Sequence, residues 1–328
     1  MQLKARREVL DRAFVFFERS GGSRASSRRA PILSFAWLTL GLFLCFAPVL
    51  QAATDRGVWF WDDPTYPFGS VNVVGNHAQE TTAINEFLRW QIKHIYGSYG
   101  NCTTPDIAAW NQQLHANGLT SQLLLSENTW IDPKYRTSLL TLIQTNLLDF
   151  NNTQAVDARF DGLHLDIEPN GLPGWTGWSP AKKKAKFYLL RDTYQAVRTY
   201  LDSNGGTLIP VYADLAVWYD QLSGPIGWTN GAERDACFTA ITSTVTEISL
   251  MAFERPTLAA IQAGVRYETG TYPGKFRGAL ETNIGASPHT WPDFTAFMNM
   301  VGQVEGAYPG LGLDIQDFAQ FETFAPPP

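Results

Sequence analysis

The chain has 328 residues, 45% of them hydrophobic and 13% aromatic, and a formal net charge of −6. This apolar content excludes a disordered chain, and the length suits one large domain or two small ones. The acidic balance argues against a nucleic-acid partner or an anionic membrane surface.

The N-terminal segment comes first. Residues 1–29 carry eight Lys and Arg against three acids, and Ile32 to Leu50 ("ILSFAWLTLGLFLCFAPVL") is free of charge. The small residues of "QAA" follow, so cleavage is expected near Ala52 or Ala53. Residues 1–53 read as a signal peptide or, if retained, as an N-terminal membrane anchor, because the apolar run is long enough to span a bilayer. The expected location is secreted, periplasmic or cell-envelope, and membrane contact is expected only if the segment is kept. Cys45 lies in this segment. Cys102 and Cys237 remain, and their spacing does not decide whether they pair. No CxxC, HxH or HExxH spacing occurs, so no metal or other cofactor is implied.

From residue 54 to 328 a unit repeats. Strand-like runs fall at 56–62, 94–99, 119–127, 160–168, 207–215, 247–254, 277–283 and 310–318. Between them lie amphipathic stretches with apolar residues at i, i+3, i+4 and i+7, such as "TAINEFLRWQI" and "SPAKKKAKFYLLRDTYQAVRTYL". Three of them open on a cap followed by proline: Thr104-Pro105, Asp132-Pro133 and Ser179-Pro180. "HANG" closes one with Gly118 at the position after the cap. Eight strands alternating with helices predict an α/β fold, a (β/α)8 TIM barrel. An open doubly wound sheet would carry a Gly-rich phosphate turn after the first strand, and "WFWDDPTYPFGS" has none.

Barrel enzymes place their chemistry at the C-terminal ends of the strands. The candidates there are Trp61, Asp62, Tyr96, Ser98, Glu127, Asp166, Glu168, Tyr212, Asp214, Met251, Glu254, Glu281, Asn283, Asp314 and Gln316. The fourth run, "FDGLHLDIE", alternates strictly. Leu163, Leu165 and Ile167 share one face, and His164, Asp166 and Glu168 share the other. Two acids so close cannot both ionise freely, and one is expected to keep its proton near neutral pH. That division of labour suits hydrolysis of a glycosidic bond, with one group protonating the leaving oxygen and the other supplying charge.

"DGLHLDIE" resembles the fourth-strand signature of the family 18, chitinase-like glycoside hydrolases, D-G-x-D-x-D-x-E. Asp161, Gly162, Asp166 and Glu168 match, and His164 stands where the pattern has Asp. "LMAFE" (250–254) is similar to that family's M-x-Y-D, with Met251 kept, Phe253 for the tyrosine and Glu254 for the aspartate. The resemblance implies Glu168 as general acid/base and Asp166 as the residue orienting a substrate N-acetyl group that is itself the nucleophile. Tyr212 is the candidate for the missing hydroxyl, and His164 is either a tuner of Asp166 or a satisfied core histidine. A second resemblance, to the clan A retaining glycosidases, pairs Glu168 with Glu281 ("ALETN") as nucleophile, although Ile167 stands where that clan has Asn.

Trp59, Trp61, Trp130, Trp175, Trp178, Trp218 and Trp228 fall at or just after strand ends. Trp175 and Trp178, in the loop after the two acids, are the favoured stacking platforms for sugar rings. The run "AKKKAK" (181–186) reads as the solvated first turn of a helix. The expected partner is a polysaccharide or oligosaccharide. A non-catalytic sugar-binding barrel is the alternative from another class, and the sequence leaves oligomeric state open.

Overall fold

The computed structural model describes residues 55–285 and 289–328, so the expectations for residues 1–53, and the fate of Cys45, lie outside the described residues. Eight parallel strands close into a barrel in chain order: β1 Arg56–Phe60, β2 Ile92–Gly97, β3 Thr120–Ser126, β4 Gly162–Asp166, β5 Val211–Ala216, β6 Glu247–Met251, β7 Phe276–Glu281 and β8 Leu313–Gln316. A helix follows each strand: α1 His77–Arg89, α2 Thr104–Ala116, α3 Pro133–Ile143, α4 Pro180–Ser203, α5 Gly231–Thr244, α6 Leu258–Thr271, α7 Phe294–Ala307 and α8 Phe318–Phe324. All eight strand-like runs contain a strand, but β2 and β7 start two residues and one residue before their runs, and β5 and β8 start four and three residues after theirs.

The cap signals act as their chemistry predicts. Asp132 and Ser179 accept hydrogen bonds from the N–H groups of Lys134 and Lys182, each with proline in the first turn. On α2 the cap is Thr103, one residue earlier than expected. Gly118 takes φ +73°, the left-handed geometry that lets the chain leave that helix. α3 ends at Ile143 as an α-helix. It widens into a π-helical turn over Gln144–Asp149, beside Thr145, whose hydroxyl bonds back to the Thr141 carbonyl.

Strand alternation sorts the interior from the exterior. Outward residues such as Val58, Ile95, Leu163, Leu165, Ile167, Leu215, Leu250 and Ile315 are buried under the helices in one apolar layer. That layer is the main source of stability, since a fully buried aliphatic side chain contributes roughly 1.5–3 kcal/mol. The inward residues are largely polar. Register and tilt stack them in tiers drawn from alternate strands. From the floor upward come Gly57, Gln122, Tyr212 and Arg277; then Tyr96, His164, Ser249 and Asp314; then Trp59, Leu124, Asp214 and Ala279. Asp166 and Met251 sit higher, followed by Trp61, Ser126 and Glu281, with Glu168 at the top of β4. Glycine makes room at the floor: a Cβ on Gly57 would fall 2.1 Å from the Tyr96 hydroxyl, and one on Gly312 2.2 Å from the Arg277 guanidinium.

Candidate active site

The lower interior is a closed ion network. Arg277 Nε donates to both oxygens of Asp314 at 2.9 and 3.1 Å, and its outer nitrogens donate to the Asp55 carboxylate and carbonyl at 2.8 and 2.7 Å. Tyr96 and Ser249 add hydroxyl donors to Asp314 at 2.8 and 2.6 Å. Burial opposes the Arg277 charge, but Asp314, Tyr96, Asp55 and Glu247 around it raise its proton affinity further. Asp55 is held well below the usual carboxylate range, chiefly by its hydrogen bond with His94.

Above it lies a second buried group. His164 Nε2 meets Asp214 Oδ1 at 2.9 Å, His164 Nδ1 meets Gln122 Oε1 at 3.0 Å, and Trp59 Nε1 donates to Asp214 Oδ2 at 3.1 Å. The imidazole stacks on Tyr96 with ring centres 4.1 Å apart. Burial pushes the Asp214 carboxyl above its ordinary range, against the opposing pull of the His164 imidazole and the Trp59 indole.

The mouth differs. Asp166 is buried beneath it, with the Ser126 hydroxyl donating to Oδ2 at 3.4 Å. Glu168 is half-buried, two residues past the end of β4. Two loops hold it. Its backbone N–H donates to Asn128 Oδ1 at 2.6 Å, and Asn170 Nδ2 donates to its Oε2 at 3.2 Å. Gly171 lets the first of these form, because a Cβ there would lie 2.2 Å from the Asn128 amide nitrogen. Glu281 faces the same opening from β7 and is half-buried, as are Trp61, Phe253 and Asn283. Met251 is buried beside them.

The structure thus brings Asp166, Glu168, Glu281, Trp61, Met251 and Asn283 to one end of the barrel and corrects several other expectations. Tyr96, His164, Asp214 and Asp314 are at most 2% exposed and engaged with one another below the mouth, so they support the site rather than line it. Tyr212 does not replace the missing hydroxyl. It is the second residue of β5, in the floor tier, where it occupies space left by Gly162. Glu127 turns away to cap the short helix Asn128–Ile131 by accepting from the Thr129 N–H at 2.9 Å. Trp175 is 6% exposed and packs with Trp178 and Trp218, so it is core rather than a platform. Trp59, Trp130 and Trp228 are buried as well.

The basic run is not simply solvated. The Lys182 ammonium sits 3.9 Å from the Trp178 ring centre and that of Lys183 5.5 Å from Trp175, while Lys184 donates to Glu233 at 3.0 Å. Cys102 and Cys237 are free thiols, and burial pushes them up to about 11 and about 12. Sequence reasoning missed Ser126, Asn128, Asn170 and Tyr219. Their only signal was polarity just past a strand end, which many loop residues share.

The barrel is similar to the crystal structure of a GH18 chitinase from Pseudoalteromonas aurantia, with TM-score 0.52 and 11% sequence identity over 81% of this chain and 94% of that one. A chitinase-like lectin from tamarind matches with TM-score 0.49 and 10% identity, covering 83% and 96% of the two chains. An endo-beta-N-acetylglucosaminidase from Cordyceps militaris matches with TM-score 0.48 and 13% identity, covering 81% of each. No protein-family model and no curated protein matches the chain. At 11% identity the likeness to the first of these shows a shared barrel fold.

Proposed function

We propose that this barrel is an exported glycoside hydrolase, a divergent member of the chitinase-like superfamily, acting on an extracellular or cell-envelope polysaccharide. The observation that supports this reading is the pair at the end of β4: Asp166 buried at the mouth, and Glu168 half-buried two residues beyond it, its N–H on Asn128 and its carboxyl on Asn170. Glu168 gives its proton to the glycosidic oxygen as the C1–O bond breaks. It then takes a proton from the water that completes hydrolysis. Asp166 stabilises the charge that develops at the sugar and, on an N-acetylated substrate, orients the acetamido group.

A second reading rests on Glu281, which faces the same opening from β7. There it would be the nucleophile of a retaining reaction, with Glu168 unchanged in role. Release of reducing ends from glucosamine, galactosamine and uronic-acid polymers tests the activity. Binding without release would leave a sugar-binding barrel, and neither binding nor release would remove the glycan reading. Loss of turnover in Glu281→Ala with rescue by azide supports the nucleophile reading. A larger loss in Asp166→Ala than in Glu281→Ala, without azide rescue, supports the chitinase-like one.

A further inference from the structure

The loop after β4 contains a hydrogen-bond relay that begins at Glu168 and ends on β5's loop. Asn170 lies in the single turn Pro169–Gly171. Its Nδ2 donates to Glu168 Oε2, and its Oδ1 accepts from the Tyr219 hydroxyl. Tyr219 is 1% exposed, its ring packs on Phe187 and Trp218, and its carbonyl accepts from Trp228 Nε1 at 2.7 Å. The phenol therefore has one fixed position. Burial keeps it protonated, so it can act as a donor there.

A side-chain amide can present either end to a neighbour. Here the Tyr219 hydroxyl donates to the Asn170 oxygen, and the amide nitrogen is turned toward Glu168.

We infer that Tyr219 is a positioning residue that locks Asn170 as a hydrogen-bond donor to Glu168 and so sets how tightly Glu168 holds its proton. The catalytic meaning of this relay rests on the proposed role of Glu168 as general acid. A donor to a carboxylate favours its ionised form. Without the Tyr219 hydroxyl the amide is free to turn its oxygen toward Glu168, which favours the protonated form instead. The Tyr219→Phe protein keeps the ring and its packing and loses only the relay's anchor.

The test is the titration of the Glu168 carboxyl carbon, followed by NMR in the whole protein labelled at glutamate and assigned with Glu168→Gln. The expected result is an upward move of the midpoint in Tyr219→Phe, and in the same direction in Asn170→Ala. The high-pH limb of kcat/KM should move with it. A midpoint within a few tenths of a unit of the parent in both variants would overturn the inference. Because the titration needs no turnover, the relay can stand if the hydrolase reading fails, and the reverse.

Discussion

The floor and the mouth of this barrel both contain buried or half-buried acids, yet they are built in opposite ways. At the floor each carboxylate meets a cation or several donors: Asp314 takes Arg277, Tyr96 and Ser249, and Asp55 takes Arg277 and His94. At the mouth, Ser126 donates to Asp166 and Asn170 to Glu168, and Glu168 is half-buried where the floor acid Asp314 lies deeper. Charge paired with charge and sealed from water holds a structure together. A half-buried carboxyl at an opening is placed to exchange a proton with a substrate. The same residue type thus has two functions, and height in the barrel distinguishes them.

Removing a floor partner gives the largest effect. Arg277→Met leaves Asp314 buried without its cation and should cost about 3–5 kcal/mol of stability, read by denaturant unfolding. A loss under about 1 kcal/mol would mean the network is not structural.

A smaller effect sharpens the comparison through an acid with no such partner. Glu268 on α6 is fully buried, and neither carboxyl oxygen has a hydrogen-bond partner among the described residues. Burial pushes it from 4.5 up to about 9. The folded protein therefore keeps a proton that the unfolded chain releases. Stability from this group is complete below about pH 4.5 and is lost as pH rises toward about 9. Glu268→Gln should gain roughly 1–3 kcal/mol over the parent at pH 8 and nothing at pH 4.5, read by thermal unfolding at both. An equal change at the two values would contradict the assignment.

The fold was legible because each barrel layer imposes its own period. Leu163, Leu165 and Ile167 alternate against His164, Asp166 and Glu168, and cap-proline pairs mark the helices between strands. The candidate acids at the mouth were legible for the same reason. Height inside the barrel was not. Tyr212 looks near-terminal when its run is read as 207–215, but β5 starts four residues later at Val211, and four residues separate floor from mouth on one strand, as from Arg277 to Glu281 on β7. Asp314 was misplaced likewise, as the second residue of a strand that begins at Leu313. Partners from distant strands were hidden too: His164 could not reveal Asp214, nor Glu168 the Asn170–Tyr219 relay, before closure brought the loops together.

The most direct test of the account measures two properties of one variant, Glu168→Gln: reducing-end release on a polymer the parent cleaves, and thermal unfolding. Turnover should fall by about a thousandfold with the unfolding temperature unchanged. Turnover within about tenfold of the parent would contradict it, because the proton would then come from another group.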